Sequence, residues 1–282
     1  MNRAASSRPR ALGVRIPTSG DASELELVIA RAREAERSGL SSVWVSDHLV
    51  IPDGSVSPYP FEALGMSAPR PGVTWLDAIT VLSAMAIATS KLRLGTAALV
   101  AGLRPVAIAS RQLRTVQVMA PDRLVVGLAA GWLREEFEFL GRDPTVRWRD
   151  LDEWTSAAAS AWAGADRSSR PPPLLVAGNS AASRKRTVDW GDGWLPQQHL
   201  ASLDLAWLAD SVNELDRAWT ERGRLGRPAV IVRLSGRTES SDLSELVRRT
   251  FLAGADEIVV DALWLGASID PTLVRLANDF AP

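Results

Sequence analysis

Asp47 and His48 stand directly after SSVWVS (residues 41–46), a strand-like run with no polar alternation through Val43, Trp44 and Val45. Side chains that follow such a strand fall at its C-terminal rim, where α/β barrels place their reactive groups. His48 is the one side chain there that titrates near neutral pH, which suits it to the proton of an acid–base step. The ordinary alternative is a histidine hydrogen-bonded to a neighbouring loop, and for Asp47 it is an N-cap to a loop helix. A second place of interest is Gly178, Asn179 and Ser180, preceded by the apolar run 174–176 and followed by a helical pattern. Free backbone amides and the positive end of a helix converge there, which makes an anion site, although the same residue types also build plain turns. Arg184 and Arg186 add charge nearby or form a solvated helix face. The chain has no cysteine, which removes disulfides, thiolate metal sites and a thiol nucleophile. It has only two histidines, and His199, in PQQHL, reads as a surface loop residue, so no metal centre is expected.

The elements that must position these residues alternate in type along the chain. Strand-like runs fall at residues 12–17, 41–46, 92–99, 124–128, 174–176, 193–195, 229–234 and 257–260. Helical patterns lie between and after them. In the first, a capping box is expected at Ser23 and Glu26, a stripe runs through Leu25, Val28, Ile29 and Ala32, and Gly39 stands where a left-handed C-cap belongs. The others cover residues 76–89, 106–119, 149–162, 180–190, 203–222, 241–252 and 271–280, with a second box expected at Thr74 and Asp77. A chain of 282 residues has room for two average domains. Eight βα units without a break in composition argue instead for one closed (β/α)8 TIM barrel over residues 11–282. Residues 1–10 are expected to form a disordered arm. The connection after the second strand, residues 47–74, is far longer than the usual 2 to 6 residues and carries five prolines, as a lid or substrate loop would.

Bulk properties narrow the partners. Formal net charge is -1, from 32 basic and 33 acidic residues, and no segment concentrates basic residues, so nucleic acid is not expected. No apolar run approaches the roughly 18 to 20 residues of a membrane span, and the basic start is not followed by the apolar core of a signal peptide. A cytoplasmic protein is expected.

Four strings, in this order, carry a family resemblance: SVWVSDHLVIP, SKLRLGTAALV, DRLVVGLAAGWLREEFEFLG and LLVAGNSAASRKRTVDWGDGW. Over residues 12–196 the chain resembles the luciferase-like monooxygenase superfamily, and most closely its branch that uses coenzyme F420. The resemblance implies a coenzyme F420-dependent oxidoreductase that moves a hydride between the deazaflavin and a small organic substrate such as an enone, imine or alcohol. It implies that His48 acts in proton transfer and that Asp47 contacts the cofactor. A cis peptide joining Ala97 to Ala98 would back the cofactor ring, and Ala177, Gly178, Asn179 and Ser180 would hold its phosphate. Gly131 and Trp132 end the third motif. Some relatives carry a glutamate where Trp132 stands, so Trp132 is expected to wall the pocket, and the chain either relies on His48 alone or takes the proton from water or substrate. Glu135 and Glu136 read as a polar contact or as the first turn of a helix, where carboxylates favour the dipole.

Two other readings stand beside this one. An FMN-dependent monooxygenase of the same barrel would differ by its use of oxygen. A non-catalytic flavin-binding barrel is the other, because relatives carry an extended insertion before the fifth strand and only residues 163–173 occupy its place here. The family's habit of pairing through barrel helices, and apolar stretches such as LDAITVLSAMAIA, point to a homodimer.

Overall fold

The structure, a computed structural model, describes residues 10–20, 24–62, 68–163, 170–236, 240–261 and 264–280. The expected arm thus lies outside the described residues except for Arg10, and so does Ser23 of the expected capping box.

Strands β1 (Ala11–Arg15), β2 (Ser42–Val45), β3 (Arg93–Val100), β4 (Leu124–Ala129), β5 (Leu174–Ala177) and β6 (Gly193–Leu195) pair in parallel in chain order. A short β7 (Gln197–His199) continues β6 beyond Pro196, and β8 (Ala229–Ser235) pairs with both. Strand β9 (Glu257–Val260) pairs with β8 on one side and β1 on the other, which closes the ring. Counting β6 and β7 as one interrupted strand, eight parallel strands form a TIM barrel. Proline cannot donate to a ladder, which accounts for the interruption. His199 is therefore a half-buried strand residue rather than part of a surface loop.

Around the barrel run α1 (Leu25–Arg37), α2 (Ala78–Ala88), α3 (Val106–Met119), a short α4 (Arg134–Phe139), α5 (Arg147–Ala163), α6 (Ala181–Asp189), α7 (Leu205–Glu221), α8 (Ser240–Leu252) and α9 (Pro271–Asp279). A small hairpin, β10 (Trp264–Leu265) with β11 (Ser268–Ile269), precedes α9 and was not anticipated. Two caps differ from expectation. Helix α1 is capped at Glu24 without a side-chain bond. Helix α2 begins at Asp77, whose carboxylate accepts from Thr80 N–H, so Asp77 is the cap itself and not the far half of a box at Thr74.

Strand periodicity divides the apolar residues into two sets. Leu12, Val14, Val43, Val45, Val230 and Val232 pack outward against the helices in one continuous core. Trp44, Ala97, Val125, Leu175, Leu195, Ile231 and Val259 fill the inside of the barrel. Trp44 finds room because Gly95 faces it, where a β-carbon would stand 2.3 Å from the indole. Below this layer Glu257 binds Ser42 and Arg93, and Ser42 accepts from the Trp44 indole at 2.8 Å. The upper end of the barrel, where the strands finish, carries the candidate site.

Candidate active site

His48 does not stand alone. Its Nδ1 lies 2.8 Å from Glu136 Oε2, and Glu136, on α4, is 2% exposed. The other carboxylate oxygen accepts the N–H groups of Leu49 at 2.6 Å and Val50 at 3.1 Å. One buried carboxylate thus orients the imidazole and fixes the start of the long loop. A carboxylate oxygen facing Nδ1 favours the tautomer with a proton there, leaving Nε2 as the outward nitrogen. Nε2 has no hydrogen-bond partner among the described residues. The expectation of a histidine with no acid beside it is corrected: a carboxylate four residues beyond Trp132 lies against its ring.

Aromatic rings enclose the pair. Trp75 meets His48 edge to face with centroids 4.9 Å apart, and Trp132 does so at 6.0 Å. Tyr59, from the long loop, lies 5.0 Å from Trp132. The Trp75 Nε1–H has no hydrogen-bond partner among the described residues, as is also true of the Trp154 indole in the core. Gly131 has a φ of +87°, and a β-carbon there would press on Phe137 and Val100, so glycine turns the chain between β4 and the Trp132 wall.

Asp47 caps no helix. Its two oxygens take a bidentate bond from Arg104 at 2.6 and 2.7 Å and a third bond from Val100 N–H at 3.0 Å. Arg104 also reaches Asp77 at 2.7 Å, tying the ends of β2 and β3 to the start of α2. Burial opposes the Arg104 charge, but its bonds and attraction to Asp47 and Asp77 outweigh that and hold its pKa above an ordinary arginine's.

The peptide joining Ala97 to Ala98 is cis, as the resemblance implied, and the register of β3 against β4 shifts between Thr96 and Leu99. The Ala97 carbonyl accepts from Arg233 Nη1 at 3.2 Å. Arg233 also donates to Gln197 Oε1 at 3.1 Å and to both oxygens of Asp261 at 3.2 and 3.1 Å. Arg15 Nε reaches Asp261 at 3.0 Å. None of Arg15, Arg233 and Asp261 was singled out in the sequence. The signal available was their parity: each continues the inward-facing set of its strand at the upper end.

Gly178, Asn179 and Ser180 lie between β5 and α6, as expected. Gly178 has a φ of +121°, its carbonyl accepts from Trp194 Nε1 at 2.7 Å, and Ser180 caps α6 through Ser183 N–H at 3.1 Å. The Asn179 side chain pairs with both backbone groups of Gln197, at 2.7 and 3.0 Å, leaving only its main chain for a ligand. Asn179, Gln197, Arg233 and Ala97 are therefore linked by successive hydrogen bonds. Arg184 and Arg186 are not merely solvated; they pair with Glu214 on α7 and Asp152 on α5.

The sequence pattern of luciferase-like monooxygenases matches residues 11–257. The chain belongs to the luciferase-like monooxygenase family. An uncharacterized protein of Mycobacterium bovis is 23% identical over 184 residues, covering 59% of this chain and 64% of that protein, so the chain spans a little under two thirds of this relative's length. Among solved structures, an F420-dependent secondary alcohol dehydrogenase in complex with an F420–acetone adduct superposes with a TM-score of 0.74 at 15% identity, covering 96% of this chain and 99% of that one. A monooxygenase of Streptomyces bottropensis superposes at 0.71 with 16% identity, covering 96% and 97%. At these identities the likeness concerns the fold.

In this luciferase-like barrel a cavity of about 1200 Å³ also opens at the opposite, N-terminal end, beside Arg93, Asp152, Pro173, Asp192, Trp219 and Arg227. None of the predicted site residues lines it. Among the described residues no three metal-ligating side chains cluster, and no helix is long and apolar enough to cross a membrane.

Proposed function

We propose that the protein is a coenzyme F420-dependent oxidoreductase acting on a small organic substrate with an enone, imine or alcohol group. The observation that carries this is the His48–Glu136 pair at the strand-end rim, enclosed by the rings of Trp75, Trp132 and Tyr59. The residues present fit a flat ring with an anionic tail. Main-chain amides of Gly178, Asn179 and Ser180 at the start of α6 would hold the phosphate, with Ala177 leading into them. Ala97 and Ala98 would lie behind the ring, Gly131 and Trp132 would wall it, and Asp47 would act on it by fixing the backbone at Val100. A bound deazaflavin supplies the hydride donor or acceptor.

The chain's own part is protonic and steric. His48 Nε2 holds or delivers the proton that balances the substrate's change of charge, and Glu136 keeps the ring turned. Tyr59, Trp75 and Trp132 exclude water from that proton. The family's monooxygenases favour a second reading, an FMN-dependent monooxygenase of the same pocket. Titration of the purified chain with F420 and with FMN, followed by anaerobic turnover with reduced F420 set against oxygen consumption with reduced FMN, divides the two. Binding of neither would remove both. We also place the protein in the cytoplasm as a homodimer, paired through helices whose apolar side chains face outward, such as Ile87 of α2 and Val118 of α3, 73% and 65% exposed; sedimentation tests the pairing.

A further inference from the structure

Charges inside the barrel occur in two layers. The lower one, Arg93 with Glu257, is neutral in itself. The upper one holds two guanidiniums, Arg15 and Arg233, and one carboxylate, Asp261, which leaves one positive charge in excess. Trp44, Ile231 and Val259 separate the layers, and the lower pair, being neutral, offers no net charge to balance the upper one. Tyr59 stands within electrostatic range of all three upper groups, but burial raises its pKa against the pull of Arg233 and Arg15, so it stays a neutral phenol. Arg233 uses four of its five N–H donors, from Nε and both terminal nitrogens. Arg15 donates only through Nε; its terminal nitrogens have no partner among the described residues and remain accessible, the side chain being 22% exposed.

We infer that Arg15, backed by Arg233, binds a carboxylate carried by the substrate. A partly desolvated cation that shares its one counter-charge with a second cation is costly, and an arriving anion relieves that cost. The two free nitrogens of a guanidinium form the fork that a carboxylate accepts in parallel. Asp261 holds the fork in place through Nε and leaves the net charge positive. The inference rests on the proposed function in taking this barrel mouth as the substrate site, and it narrows that substrate to an anionic one, with the carboxylate at one end and the redox carbon toward His48.

The test uses the full chain without added cofactor. Tryptophan emission is followed during titration with propionate or benzoate, and separately with propionamide or benzamide, at constant ionic strength. Carboxylates are expected to bind at least tenfold more tightly than the matching amides. Arg15→Met is expected to erase that preference, Arg15→Lys to restore part of it, and Asp261→Asn to strengthen carboxylate binding; circular dichroism confirms that each variant is folded. Equal binding of acid and amide, or an Arg15→Met chain that still prefers the acid, overturns the inference. So does a flat carboxylate titration accompanied by weaker F420 or FMN binding in Arg15→Met, since the pair then serves the cofactor. Carboxylate binding by a chain that binds neither F420 nor FMN leaves this inference standing and removes the proposed function instead.

Discussion

Glu136 serves two partners with one carboxylate, and the arrangement depends on its having two acceptor oxygens. In Glu136→Gln only one oxygen remains, so either His48 or the Leu49 and Val50 amides lose their acceptor and face an NH2 group. Turnover is expected to fall while hydrogen exchange at residues 49 and 50 speeds up; unchanged exchange would remove Glu136 from its double role. His48→Ala is expected to lower turnover by about 10² to 10⁴ with cofactor affinity little changed. Near-normal turnover would leave the proton to solvent. His48 was legible from its place after an apolar strand. Glu136 was not, because its partner is 88 positions away and a glutamate in a first helical turn has an ordinary explanation. The Arg15–Asp261–Arg233 group was missed for the same reason: its members come together only when the barrel closes.

At the level of elements, loops at this barrel's ends are held by carboxylates that gather backbone amides. Glu36 of α1 accepts from Ser90, Lys91 and Leu92 before β3, and Glu135 of α4 accepts from Val56 and Ser57 of the long loop. Burial alone would raise the Glu135 pKa, but the bonds from Ser57 and Val56 overcome it and bring the value from 4.5 to about 2. A depressed carboxylate stabilises the folded form fully above its unfolded value and loses that effect as pH falls through the folded one. The loop is therefore expected to stay anchored down to about pH 4.5 and to loosen between there and about pH 2; Glu135→Gln should show the loosened exchange pattern at neutral pH. Gly178 offers a second test. Its φ of +121° is nearly closed to other residues, and a β-carbon would lie 2.8 Å from Ser183 Oγ beside the α6 cap. Gly178→Val is expected to cost roughly 1 to 3 kcal/mol in folding and to weaken F420 binding further than that loss explains. Full affinity in a folded variant would move the phosphate elsewhere.

For the whole molecule, closure sets the stability. Gly127 of β4 faces inward, and a β-carbon there would lie 2.3 Å from the Thr96 carbonyl and 2.5 Å from Leu195. The carbonyl belongs to the backbone of β3 and cannot step aside, so Gly127→Ala is expected to destabilise by about 1 to 3 kcal/mol or more, read from denaturant unfolding. An unchanged midpoint would show that the barrel yields at β3. The ring was readable in advance because eight apolar runs without polar alternation, each followed by a helical pattern, admit few arrangements. What was not readable is local. The interruption at Pro196 and the hairpin before α9 are decided by single residues within segments too short for a periodic signal. The attachment of the long loop has a practical corollary for anyone who would transplant it. Residues 47–62 are fastened to α4 through Glu135 and Glu136, not to their own strand alone. A loop grafted from another barrel would arrive without its fasteners unless 134–139 travels with it, so the exchangeable unit spans two distant stretches of the gene.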